Sequence, residues 1–330
     1  MGRNRIERSG DHLAVVEAAY DLRGDERAWI RRVAAAADAA WGLGLGAVGM
    51  LYDAADPRRM KARFIVETPK ARGCGRLARQ FVERGADASY IQNTYRALSC
   101  AMSSETPGIE QTDFSILQQL GVRDVLGVNG LDPTGVGAFV GISAPRVYAL
   151  DEGERRQLSR VAVHLAAGYR LLRRSRERAS EPEAILTPKG AVEQAEGEAR
   201  VRAARTALAE ATGAIERARG SLRRDSPARA LHSWKGLVSA RWTLVDQFDS
   251  DGKRYVIARR NEAFPRGLDA LAPRERQIIG FLVLGHTTKH IAYELGISDS
   301  TVRVLLARAF RKLEVRSRRE LIAAVTSPER

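Results

Sequence analysis

The tightest constraint on the fold is the punctuation of the stretch from Leu271 to Val325, where apolar residues recur at helical spacing and each run is bracketed by residues that start or stop helices. Pro273 suits a first helical position because it lacks an N–H, and Ile278, Ile279, Leu282 and Val283 follow it on one face. This predicts a helix from about Pro273 to Leu284, stopped by Gly285. Thr287 is placed to accept a backbone N–H at the start of a second helix, which buries Ile291, Ala292 and Leu295 and ends at Gly296. Ser298 can cap a third helix with Val302, Leu305, Leu306, Ala309, Phe310 and Leu313 on its apolar side. Ser317 and Glu320 have capping-box spacing and open a fourth helix through Leu321, Ala324 and Val325.

The third helix carries Arg303, Arg308, Arg311 and Lys312, with no acidic residue between Thr301 and Leu313. Its outward side suits a phosphate-lined groove, and a DNA major groove is wide enough to admit it. The blocks Leu271-Ala-Pro-Arg-Glu-Arg, Lys289-His-Ile-Ala, Leu295-Gly-Ile-Ser, Thr301-Val and Lys312-Leu-Glu-Val-Arg-Ser-Arg occur in that order and closely resemble the LuxR-type DNA-binding domain. The likeness covers about one sixth of the chain.

The resemblance implies a sequence-specific transcriptional regulator whose third helix, about 298–313, lies in the major groove, while the fourth often helps pair two domains on a roughly palindromic site. Carried over by position, Arg303, Val304 and Ala307 face base edges, and Thr287, Thr288, Lys289, Ser300, Thr301, Arg308 and Lys312 face the backbone; Arg311 belongs to the same basic side. The implied partners are double-stranded DNA, a second copy of the chain and RNA polymerase. Three departures stand out: Ala272 where the family usually has a Thr cap, His290 where it usually has the Glu of a capping box, and Leu305 where a His is common. Each lost cap costs on the order of 1 kcal/mol. Ala307 can offer bases only an apolar contact, so readout rests mainly on Arg303.

Charge agrees in sign but not in place. The net +14 favours an acidic partner, yet it divides as +2 over 1–169, +8 over 170–260 and +4 over 261–330. The excess upstream is read as solvated helix faces, with DNA contact by the linker region as the other reading. A further reading also stays open, that of a basic interaction module binding DNA without sequence choice or an acidic protein. Cys74 and Cys100 give no disulfide framework and suit a reducing cytosol; two small buried residues are favoured over a redox pair. No run of about 18 apolar residues occurs, so no membrane partner and a cytoplasmic location are expected.

Upstream, Leu13 to Tyr20 and Ala28 to Trp41 read as helices, Leu43 to Tyr52 and Phe64 to Val66 as a two-stranded hairpin, and Leu77 to Arg84 and Tyr90 to Met102 as helices. Glycine-rich strands Val125 to Leu131 and Val136 to Ile142 follow, joined by a turn, then a long helix from Glu152 to Arg176. The pattern is an α+β region, residues 11–178, similar to sensory folds of the GAF and PAS kind; no residue fixes a ligand, whose identity is unknown. A linker region, 182–260, then holds a strand at Ala184 to Leu186, a helix from Glu193 to Leu222 and a β-hairpin around Asp251-Gly252. The helix has a seven-residue seam through Val201, Leu208, Ile215 and Leu222, read as packing within its own chain, with a dimer seam as the other possibility. Asn261 to Gly267 leads into the helical DNA-binding domain, 268–327. The layout of 182–260 also looks like long LuxR-type regulators.

Other chemistry is set aside. Gly44-Leu-Gly46-Ala-Val-Gly49 matches the dinucleotide fingerprint, but a helix precedes it and a strand follows, the reverse of what a phosphate cradle needs. His286 and His290 have the spacing of a helical zinc pair, yet Thr287 stands where a zinc protease needs its Glu, so no metal is expected. Gly141-Ile-Ser143-Ala-Pro lacks the second glycine of a nucleophile elbow, no phosphoacceptor pattern appears in 11–170, and Trp29, Trp41 and Tyr52 read as core rather than a ligand box. The expectation is no enzyme and no cofactor.

Overall fold

A computed structural model describes residues 4–5, 10–54, 60–85, 87–177, 182–262, 268, 270–318 and 320–321. The chain divides into two compact units, one built from residues 1–131, 135–173 and 217–233, the other from 132–134, 174–216 and 234–330. The second takes in the C-terminal helices and the region read as a linker except for residues 217–233, which belong to the first.

In the first unit, helix α1 (His12–Tyr20) is capped by Asp11, and α2 (Glu26–Trp41) by Asp25, whose carboxylate accepts the Ala28 N–H at 2.6 Å. A five-stranded antiparallel sheet follows in the order β3-β2-β6-β5-β4, where β2 is Ala47–Asp53, β3 Lys61–Glu67, β4 Cys100–Met102, β5 Asp124–Leu131 and β6 Val136–Ala144. Strand β1 (Asn4–Arg5) pairs in parallel with β7 (Tyr148–Ala149).

One sheet face carries α2 and α6 (Glu152–Glu177) at backbone distance, which glycine alone allows. A Cβ on Gly49 would sit 2.8 Å from Ile30 Cγ1, and one on Gly130 would sit 2.6 Å from both the Ala162 carbonyl oxygen and the Ala166 nitrogen. Gly49 is thus a packing glycine within β2, the strand that follows α2. The opposite face is covered by α3 (Cys74–Gln80), α4 (Ala88–Gln92) and α5 (Ser115–Gln118), and Cys74, Leu77, Tyr90 and Ile116 form part of the cluster there. Trp29, Trp41 and Tyr52 are all buried, and each satisfies its polar atom internally: Trp29 on the Ala19 carbonyl, Trp41 on His12 Nδ1, Tyr52 on Asn129 Oδ1. Cys74 and Cys100 are buried free thiols, and burial pushes both pKa values up.

Two expectations fail here. Tyr90 to Met102 is not one helix; α4 runs into a wider turn at Asn93–Ala97, and Cys100–Met102 instead pairs with Val128, Gly127 and Leu126 as an edge strand. Backbone pairing with β5 overrides helical spacing, which is read locally. Nor does a helix begin at Glu193, because Val192–Ala195 forms β9 against β8 (Ala184–Leu186).

In the second unit those strands complete a four-stranded antiparallel sheet, β10-β11-β8-β9, with β10 spanning Trp242–Phe248 and β11 Arg254–Arg260. The predicted hairpin turn is present, with Gly252 at φ +77° and the Asp249 N–H donating to the Lys253 carbonyl at 3.0 Å. Helix α7 (Arg202–Arg219) also belongs to this unit up to Glu216, whereas α8 (Ser221–Asp225) and α9 (Pro227–Ser233), which follow Gly220, belong to the first. Of the seven-residue seam, Leu208 and Ile215 are buried, while Val201, which precedes the first residue of α7, is 58% exposed. Among the described residues no helix is long and apolar enough to cross a membrane.

Candidate nucleic-acid interface

Helices α10 (Pro273–Val283), α11 (Thr288–Leu295) and α12 (Asp299–Lys312) begin and end where their capping residues place them. Thr287 Oγ1 accepts the His290 N–H at 3.2 Å, and Ser298 Oγ accepts the Thr301 N–H at 3.1 Å. Gly285 and Gly296 take positive φ after α10 and α11. Ala272 offers α10 no side-chain cap; Glu275 supplies the other half of the box, its Oε2 accepting the Ala272 N–H at 2.9 Å. Ser317 and Glu320 exchange hydrogen bonds and Leu321 is fully buried, whereas Ala324 and Val325 lie outside the described residues.

The core beneath is made by Ile278, Ile279, Phe281, Ile291, Leu295, Val302, Ala309 and Leu321. Three contacts that sequence spacing did not reveal tie these helices to the chain before β10. The Ala240 N–H donates to the Leu295 carbonyl at 2.6 Å, the Gln277 amide donates to the Ala240 carbonyl at 3.0 Å, and the Tyr293 hydroxyl donates to the Trp234 carbonyl at 3.0 Å. Ser239 and Ala240 both adopt positive φ to make this approach, and Gly296 is packed so closely that a Cβ there would lie 1.9 Å from the Leu237 carbonyl oxygen.

With Val302 and Ala309 inside, α12 turns the rest of its surface outward. Ser300, Arg303, Val304, Ala307, Arg308 and Arg311 are exposed and recur at helical three- and four-residue steps, so they share one face. Thr301 and Lys312 flank it and are exposed too. Val304 is 51% exposed, a large apolar side chain in the middle of a cationic strip. Beside it, Thr287 and Lys289 are exposed and Thr288 is half-buried. Thr287 uses its oxygen as a helix cap, which leaves its hydroxyl proton for another acceptor.

Two of the predicted contact residues form ion pairs among the described residues. Arg303 forms an ion pair with Asp299 one turn back, at 2.7 Å, with 69% of its side chain exposed. An exposed pair at this spacing is worth only about 0.3–0.5 kcal/mol, so a base or phosphate can displace it. Lys312 meets Glu275 Oε2 at 2.7 Å, and that carboxylate is almost wholly buried. Burial opposes ionisation of Glu275, but Lys312, the Ala272 N–H and the nearby Arg308 charge outweigh it and hold the carboxyl below its usual pKa. Lys312 therefore also locks the end of α12 to the start of α10. His286 is pushed down to about 3, first by burial and then by the charges of His290 and Arg318.

The arrangement offers one cationic, hydroxyl-fringed face on a helix whose other side is seated in a core. Residues 269–325 match the family described as GerE, bacterial regulatory proteins, luxR family. The spore germination protein GerE of Bacillus subtilis (strain 168) is 44% identical over 52 residues, 16% of this chain and 70% of that protein. The response regulator protein TodT of Pseudomonas putida is 31% identical over 87 residues, 26% of this chain and only 36% of TodT. Escherichia coli SdiA aligns over 92% of this chain and 91% of its own, at 12% identity and a TM-score of 0.33, and SdiA in complex with octanoyl-rac-glycerol at 13% identity and 0.26, values too low to bear on fold or function. The match that carries weight is GerE, more than two thirds of whose length is covered by the stretch holding α10, α11 and α12, and on it the chain belongs to the LuxR family of bacterial regulatory proteins.

Proposed function

We propose that the chain is a sequence-specific DNA-binding transcriptional regulator that places α12 in the major groove. The observation that carries this reading is the one-sided character of α12: Arg303, Val304, Ala307, Arg308 and Arg311 outward, Val302 and Ala309 buried. Arg303 leaves Asp299 to read a base, Val304 and Ala307 contact thymine methyls, and Thr287, Thr288, Lys289, Ser300, Thr301, Arg308, Arg311 and Lys312 hold phosphates. Two copies occupy a roughly palindromic site, and the complex engages RNA polymerase.

The first unit acts as the sensory region, of GAF or PAS kind. Supporting this is a cavity of about 60 Å³ on the sheet face beneath α3, lined by Met50, Phe81, Val82, Phe114, Leu117 and Phe139 among others. Its apolar, aromatic lining is of the kind that small-molecule sites use.

Selection of bound DNA from a random pool by the full-length protein tests the reading. A recovered consensus with inverted half-sites supports it. Equal retention of random and selected DNA at fixed salt favours the non-specific basic module instead.

A further inference from the structure

The expectation of no metal rested on His286 and His290 as an isolated pair. The fold adds a third residue one turn further along α11. Glu294 is 1% exposed, a carboxylate sunk into the DNA-binding unit, and one ligand atom from each of His286, His290 and Glu294 lies within 4.8 Å of the other two. The two imidazoles meet edge to face with centroids 4.6 Å apart, and Phe281 stacks on His286 at 5.6 Å, which fixes the first ring's plane. Nδ1 of His286 is buried without a hydrogen-bond partner among the described residues. A buried ring nitrogen left this way costs about 1–3 kcal/mol unless another group meets it.

We propose that His286, His290 and Glu294 bind one divalent transition cation of the zinc class, with a fourth position left to water. Two imidazoles and one carboxylate form a donor set that suits zinc better than the hard, all-oxygen demands of calcium or magnesium. Around a tetrahedral zinc the donor atoms stand about 3.3 Å apart, so side-chain rotations of about 1 Å close the set without moving the backbone. Residues 286, 290 and 294 recur every fourth position along one side of α11 and the turn before it. The cation therefore ties the residue following Gly285 to the last turn of α11 and stiffens the joint between the first two helices of the DNA-binding unit. Arg318, whose guanidinium donates to the Leu282 carbonyl at 3.0 Å, is an opposing charge near His286, and its exposure to solvent screens it. His290 stands where the LuxR pattern usually has Glu, so the site belongs to this chain rather than to the pattern.

The test uses the untagged full-length protein, stripped of metal and titrated with Co²⁺ as the visible probe. The expected result is one Co²⁺ per chain with the intense absorption of a tetrahedral site, displaced by equimolar Zn²⁺, and an unfolding temperature raised by at least about 3 °C with Zn²⁺ in large excess over its Kd. His290→Asn and Glu294→Gln should each weaken Co²⁺ binding at least tenfold, while Lys289→Ala leaves it unchanged. A Co²⁺ spectrum that stays that of the six-coordinate aqua ion, no Zn²⁺ effect on unfolding, or equal binding by His286→Gln/His290→Asn overturns the proposal. Should Glu294→Gln fail to fold, the spectrum and thermal shift of the native chain decide alone.

Discussion

The sheet of the first unit and the helices at the C-terminus solve the problem of close packing in opposite ways. In the helical part, polar side chains mark the ends: Thr287 and Ser298 accept orphan N–H groups, and Gly285 and Gly296 reverse the chain. In the sheet, missing side chains set the geometry: Gly49 admits α2, Gly130 admits α6, and Gly137 leaves room for the Tyr52 ring, which a Cβ would meet at 2.3 Å. Capped ends leave a surface free to meet another molecule, whereas glycine contacts seal two layers together. That contrast separates an outward cationic face from an inward apolar cavity.

The largest expected effect comes from filling one glycine contact in each region. Gly296→Ala combines a φ of +61° with a Cβ 1.9 Å from the Leu237 carbonyl oxygen, and should cost roughly 2–4 kcal/mol in denaturant unfolding. DNA binding should fall with it. Gly130→Ala, pressed against α6, should cost a similar amount in the first unit, yet leave the affinity of the isolated DNA-binding step within about twofold. Loss of DNA affinity in Gly130→Ala equal to that in Gly296→Ala would show that the two regions do not separate.

Next is Arg303→Ala, expected to cost about 1–3 kcal/mol on the selected site and to relax preference at one base pair. Because its partner Asp299 contributes little in the free protein, the folding midpoint should move by less than about 0.5 kcal/mol. Equal losses on selected and random DNA would remove the base-reading role.

The difference between the regions also decides how much of each is legible in the sequence. Helix ends in 271–321 are legible because Pro273, Thr287, Gly296 and Ser298 act within one turn of themselves. The exposed face of α12 follows from periodicity alone. Strand β4 has no local signal because Cys100–Met102 becomes extended only by pairing with β5, over twenty residues away in sequence. Likewise Glu294 and Glu275 look like ordinary solvated charges in sequence; helical spacing sets Glu294 one turn beyond His290, but only the fold buries it, and only the fold brings Glu275 to Lys312. The contacts of Ala240 and Trp234 with α11 are also long-range, and no local signal marks them.

The Glu275–Lys312 pair gives a smaller effect with a distinct pH signature. Its carboxyl titrates below the unfolded value of about 4.5, so the pair's stabilisation is present above that pH and is lost as pH falls through the lower folded pKa. With Lys312 45% exposed, solvent screening keeps the contribution to about 1–2 kcal/mol. Glu275→Gln should lower stability at pH 7 by that amount and flatten the decline below about pH 4.5. An unchanged acid limb would assign the decline to other carboxylates. Lys312→Ala, measured on DNA at several salt concentrations, should also reduce the salt slope by about one unit if the same ammonium turns to phosphate.

The smallest effect compares two caps of like chemistry. Ser298→Ala removes the oxygen that accepts the Thr301 N–H, and Asp25→Ala removes the one that accepts the Ala28 N–H; each should cost about 1 kcal/mol in folding. Their consequences for binding should differ. Ser298 also shares hydrogen bonds with Ser300 at 2.8 Å and Thr301 at 2.7 Å, so losing it loosens the first turn of α12, where two proposed phosphate contacts sit. DNA affinity in Ser298→Ala should drop by about three- to tenfold, the binding equivalent of a cap's free energy. Asp25 holds α2, whose buried face meets β2 at Gly49, and its loss should not move DNA affinity beyond error. If both variants bind DNA alike, the first turn of α12 is not pre-organised by its cap, and the face must be ordered by the DNA itself.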